Sequence, residues 1–171
     1  DAFNDGILKT EKILTRINYR LQTMPRGENR LALYEKENEQ LMRQNEIYRQ
    51  QEKYRAKAQK DLRKALKEEF NIKFDKDGNI TNESRLYKIK NPERYNAAME
   101  LMNAYKEGQE EIADLAEKQI DNILQNIKNA YQQVLDWIDD IGYEAELILT
   151  NIDRSIEQLE RALNKIEDAN D

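Results

Sequence analysis

Acidic residues alternate before a glycine in Asp75-Lys76-Asp77-Gly78-Asn79-Ile80, an order that matches the middle of a calcium-binding loop. Such a loop also needs oxygen ligands at both ends. With Gly78 in the sixth place, the first place falls on Lys73, a cation where a carboxylate should sit, and the twelfth on Ser84 instead of a bidentate Glu. The segment therefore reads as a tight turn at Asp77-Gly78. Glu110, Asp114 and Glu117 follow one another at spacings of four and three, which puts three carboxylates on one helix face as in carboxylate metal centres. A di-iron site would add His; the chain has none, so the trio reads as a solvated acidic face. The basic stretch from Arg43 to Lys67, interleaved with Tyr48 and Tyr54, could track a phosphate backbone. Glu46, Glu52 and Asp61 interrupt it and the chain carries a formal charge of -6, so its expected partner is an acidic helix and a nucleic-acid partner is not expected.

The missing residue types narrow the chemistry further. Without His there is no Ser-His-Asp or Cys-His catalysis, no imidazole zinc site and no default general base near neutral pH. Without Cys there are no disulfides and no thiolate metal sites. No catalytic residue, cofactor or metal is expected, and the chain reads as something other than an enzyme. No apolar run approaches the roughly 20 residues that cross a bilayer, so a soluble chain with no membrane span is expected. Because it starts at Asp1, the sequence also reads as a processed product or an excerpt of a longer polypeptide.

Charged residues make up 36% of the chain and apolar ones 39%, with five Gly and two Pro, a balance that favours long helices over sheets, which need more turns. Mean hydropathy of -1.01 is too low for a thick core, yet the apolar residues are strongly periodic, which points to thin helical bundles. The first helix is expected from about Asn4 to Met24, capped by Asn4 or Asp5, with a reversal at Pro25-Arg26-Gly27. A long polar helix should run from Glu28 to Phe70. Tyr34, Leu41, Tyr48 and Leu62 share one heptad column there, and Asn38, Asn45, Glu52 and Gln59 occupy the alternate one. Those amides read either as register-setting pairs across an interface or, the simpler expectation, as a helix face left in solvent.

Residues 70–82 alternate around Asp77-Gly78 and predict a small β-hairpin, followed by a linker or short helical turn over 83–90. Asn91-Pro92 opens the next helix, since proline is preorganised for the first helical position. From there Ala98, Leu101, Tyr105, Gly108 and Ile112, then Ala116, Ile120, Ile123, Ile127, Ala130, Val134, Trp137 and Ile141, alternate by three and four. After Gly142 the stripe resumes through Leu149, Ile152, Ile156, Leu159, Leu163 and Ile166. Gly142 is either a corner or a kink in a continuing helix. Trp137 and most of the nine Tyr are expected at or beside these core positions.

The expected fold is all-α: a long antiparallel coiled-coil helical hairpin or bundle with the β-hairpin at its tip. Its segments are 1–26 (helix and turn), 27–70 (polar helix), 71–90 (tip and linker) and 91–171 (heptad helices interrupted near 142). The last segment and the first helix should meet at the end opposite the tip. The expected helix-interface residues are Ile112, Ile120, Ile123, Ile127, Val134, Trp137 and Ile141, continued by Ile152, Ile156, Leu159 and Leu163. Asp77 and Gly78 shape the turn.

The turn Asp77 to Asn82, the opening Asn91-Pro92-Glu93-Arg94-Tyr95-Asn96-Ala97-Ala98, and the Ile/Leu/Asp/Glu-rich helices beyond resemble helical stretches of large bacteriophage virion proteins, tape-measure-like tail proteins above all. The resemblance covers about half the chain, Phe74 to Asp171, and concerns composition and a turn, not an invariant site. It implies a scaffolding component in a phage particle, associating with itself and with other structural proteins. The alternative expectation is a helical binding module of a secreted or surface protein that presents its hairpin tip to a partner.

Overall fold

The computed structural model describes residues 1–24, 28–136 and 143–170, and in these the chain is all-α. Helix α1 spans Ala2–Thr23, α2 Glu28–Phe70, α3 Pro92–Asp136 and α4 Tyr143–Asn170, with a single 3-10 segment at Glu83–Lys88. The turn at residues 25–27, together with Trp137, Ile141 and the Gly142 interruption, lies outside the described residues.

Helix α1 starts two residues before the expected position. The carboxylate of Asp1 accepts the Asn4 N–H at 2.8 Å, so Asp1 is the N-cap and Asn4 and Asp5 fall inside the first turn. Helix α2 ends where a left-handed residue is tolerated: Asn71 has φ 54°, and the Ile72 N–H turns back onto the Leu66 carbonyl. Helix α3 opens at Pro92, with Asn91 Oδ1 accepting the N–H groups of Glu93 and Arg94.

The chain divides into two units, Asp1–Gln50 with Ala116–Asn164, and Gln51–Leu115 with Lys165–Asp171. In the first unit Ile17 and Leu21 of α1 bury against Leu33 and Tyr34 of α2. Helices α2 and α3 run antiparallel there, as the contacts Arg30–Asp136, Asn38–Asn129 and Asn45–Asn122 show. In the second unit Leu66, Phe70, Ile72, Leu86, Ala98, Met102 and Tyr105 form one core, and α2 and α3 again run antiparallel through Arg55–Glu111 and Gln59–Tyr105.

Close approach in the second unit depends on a missing side chain. Gln59 is buried, and its amide donates to the Tyr105 carbonyl at 2.6 Å and to Gln109 at 3.0 Å. It lies over Gly108 so closely that a Cβ there would stand 2.1 Å from the Gln59 side-chain oxygen. We expect Gly108→Ala to lose about 1 kcal/mol despite alanine's better helix propensity, because the displaced amide leaves buried polar groups unpaired. A thermal-melt double-mutant cycle with Gln59→Ala checks this: the penalty should vanish when both changes are present.

The tip differs from expectation. Among the described residues no strand forms; one antiparallel bridge, Phe74 with Ile80, closes the loop. Backbone bonds from Asp75 to Asn79 and from Thr81 to Lys73 flank that bridge, and local side-chain bonds take over beyond them. Asp75 Oδ1 accepts the N–H groups of Asp77 and Asn79, both at 2.9 Å, and Asn82 ties the base by accepting from the Lys73 N–H and donating to the Asn71 carbonyl. With its ends fixed by Asn82 and its centre by Asp75, the segment has too few free backbone groups to extend the pairing.

Candidate functional site

Two features stand out from ordinary helix packing: the amide-rich seam of the first unit and the anchored loop of the second.

The seam joins the alternate heptad column of α2 to a column of α3 that the apolar periodicity had hidden. Asn122 donates to Gln44 at 3.1 Å and to Asn45 at 2.9 Å, Asn129 donates to Asn38 at 3.0 Å, and Asn45 donates to the Gln119 carbonyl at 3.2 Å. Gln44, Asn45, Asn126, Asn129 and Gln133 are all buried. The expectation of a solvent-facing polar side to α2 is thus overturned, and the physical reason is that α3 supplies matching amides at the same levels. Desolvated side-chain pairs of this kind fix register, since each donor is costly to strand. Glu37 sits among them at 2% exposure, and burial pushes its carboxyl pKa up; hydrogen bonding from Asn129 and the charge of Lys128 oppose that only in part. At the Asp136 end Arg30 donates to the Tyr34 hydroxyl at 2.6 Å and lies 3.3 Å from Asp136, and burial raises the Tyr34 pKa.

In the second unit Tyr105 holds the loop. Its hydroxyl donates to the Gly78 carbonyl, its ring meets Phe74 edge-on at 5.1 Å, and Arg63 lies over both rings. Burial raises the Tyr105 pKa against the opposing charge of Arg63. Gly78 is buried at φ 84°, with Tyr105 Oη 2.9 Å from where a Cβ would stand. Gly78→Ala is therefore expected to cost about 2 kcal/mol from backbone strain and the displaced hydroxyl, read as a lower denaturant midpoint at an unchanged slope. The Asp75 carboxylate, fully exposed, is held below its ordinary pKa chiefly by the Asn79 N–H, so it serves as a local cap. Among the described residues no three acidic side chains converge on one point. A cleft of about 280 Å³ beside the loop is rimmed by Arg85, Lys88 and Arg94, but Arg94 is already engaged with the Glu69 carbonyl and the Phe70 ring.

The interface positions expected from the sequence separate into groups. Ile123 is buried, while Ile120, Ile127 and Val134 are half-buried because the amide column takes the centre of the α2–α3 contact in the first unit; Ile112, in the second, is half-buried too. On α4, Ile152 and Leu159 are half-buried, whereas Leu149, Ile156 and Leu163 are exposed at 57%, 41% and 45%. Among the described side chains of α4, the buried one is Ile148, one position off the expected column. Glu110, Asp114 and Glu117 are all exposed, and of the basic stretch Arg55 meets Glu111 while its lysines point outward. Tyr34, Tyr48 and Tyr105 are buried as expected, but Tyr19, Tyr54, Tyr87 and Tyr131 are at least 60% exposed. No described helix is long and apolar enough to cross a membrane.

No family model, curated protein or solved structure matches the chain.

Proposed function

We propose that the chain is a structural, non-enzymatic component of a multi-chain assembly, in which α2 and α3 form an antiparallel coiled-coil hairpin and α4 pairs with a helix of another copy of the chain. The observation that carries this reading is the row Leu149, Ile156 and Leu163, spaced by seven and left exposed beside the half-buried Ile152, Leu159 and Ile166. Those six positions are the two core columns of a heptad repeat, and only one column is covered within the chain. Exposed apolar rows on a helix mark association surfaces, since aligned branched side chains left about half in water carry an unrealised burial of roughly 1 kcal/mol each. The setting in a phage tail or virion rests on the resemblance of residues 74–171 alone.

Sedimentation velocity on the whole chain at about 500 mM salt, where contacts between exposed charges are screened, tests the reading. The wild type is expected to associate at about 50–100 µM, a range suited to helix pairs of modest area. Replacing Leu149, Ile156 and Leu163 together by Ser should leave a monomer with a nearly unchanged melting temperature, since exposed positions contribute little to the fold. A wild type that stays monomeric throughout, or a variant that associates equally well, sinks the proposal.

A further inference from the structure

The second unit carries two charged rows of matching length. On α2, Lys53, Lys57, Lys60, Lys64 and Lys67 recur at spacings of four, three, four and three, and all five are exposed. No ion pair joins them to another described residue, although Lys67 also lies over the Phe74 ring at 5.7 Å. On α3, Glu100, Glu107, Glu110 and Asp114 are exposed, with Asn103 completing a row spaced three, four, three and four. Each row covers about 21 Å at 1.5 Å per residue.

At 100° per residue the acidic row lies on the side of α3 opposite Ala98, Met102 and Tyr105, which face α2. The lysine row lies about a third of a turn from the Gln59 and Leu66 face of α2. The two rows therefore cannot meet within one chain. They stand at the same level, because Arg55 pairs with Glu111 and Gln59 with Tyr105.

We propose that these rows form a heterologous contact between copies of this chain, the lysine row of one against the acidic row of the next. When two copies point the same way, α3 of one runs antiparallel to α2 of the other. With an axial shift of only about 1.5–4.5 Å, Lys53 then faces Asp114, Lys57 faces Glu110, Lys60 faces Glu107 and Lys67 faces Glu100 of the second copy, with Lys64 opposite Asn103. The spacings fit in this direction. A contact whose halves lie on different faces repeats from copy to copy and produces a closed ring or an open row. This deepens the assembly reading and rests on it, since it names how copies of the chain lie side by side. Exposed pairs are individually weak, so the contact is cooperative and sensitive to salt, unlike the apolar pairing of α4.

Charge reversal on the full-length chain tests it. One variant carries Lys57→Glu, Lys60→Glu and Lys64→Glu; the other carries Glu107→Lys, Glu110→Lys and Asp114→Lys. Sedimentation at about 50 mM and about 500 mM salt should show wild-type lateral association weakened at least tenfold at high salt. Each variant alone should lose the salt-sensitive species, and an equimolar mixture should regain it. The absence of Cys allows a direct check: a Lys60→Cys chain mixed with a Glu107→Cys chain should oxidise to the mixed dimer in preference to either self-dimer. Circular dichroism on each variant shows whether the helices persist. Association that ignores both salt and reversal overturns this contact while leaving the α4 reading intact. A variant mixture that stays dissociated overturns it as well. A monomer that binds heparin through the lysine row would assign that row to a polyanion and overturn it too.

Discussion

Replacing Tyr105 by Ala is expected to cost about 4 kcal/mol, the upper part of the range for emptying an aromatic site in a core. The side chain is 2% exposed and does three things at once: it fills the centre of the Leu66, Phe70, Met102 cluster, stacks edge-on with Phe74, and donates its hydroxyl to Gly78. The loop's own bonds, through Asp75 and the Phe74–Ile80 bridge, are local to it, and Tyr105 is what joins it to α3. Chemical denaturation should therefore show the large loss, and hydrogen exchange should show faster exchange of the Asp75 and Thr81 amides, which donate to Asn79 and Lys73. Tyr105→Phe keeps the ring and should lose only about 1 kcal/mol. Equal losses in the two variants would mean that the hydroxyl, and not the ring, holds the loop.

The second large effect concerns pH. The folded-state pKa of Glu37 is raised above its ordinary 4.5 by burial, so across the window between the two values the folded chain holds a proton that the unfolded chain has released. Stability from this group is fully present below the ordinary value, falls as pH rises through the raised one, and stays low above it. Asp75 has the opposite sign: its lowered pKa gives stability above the ordinary carboxylate range that is lost as pH falls through the folded value. The difference between wild type and Glu37→Gln isolates the first group. Gln keeps the size and an acceptor for Asn129 without a charge, so the variant is expected to gain about 1–3 kcal/mol near pH 7 and nothing below pH 4. A parallel pair of melting curves across that range would refute the assignment.

How far the fold could be read from sequence differs by element. Proline at the start of α3 and the polar turn after Phe70 act within a few residues, and both boundaries came out where local chemistry puts them. The tip did not, because alternation at Ile72, Phe74 and Ile80 resembles strands, whereas the deciding bonds come from Asp75 and Asn82. The recurrence of Asn38, Asn45 and Gln59 on α2 was legible, but not their destination. Asn122, Asn126, Asn129 and Gln133 sit beside the isoleucine column of α3, and apolar periodicity ranks such a helix by its isoleucines. The same habit hid the lysine row: counting charges over Arg43 to Lys67 gives a sum, and only placement on the helix surface separates Arg55, which is paired with Glu111, from lysines with no ion pair among the described residues. On α4 the spacing of the heptad is visible in the sequence, while which of its columns is covered depends on tertiary neighbours that a single helix does not encode.

The amide seam of the first unit bears on how that helix pair would respond to force. Leucines can slide past one another by a heptad and still find grease, but Asn45, Asn122 and Asn129 have partners at one level only. Tension drawing α2 and α3 apart lengthwise would meet a detent: no creep at low load, then sudden shear once the amides part together.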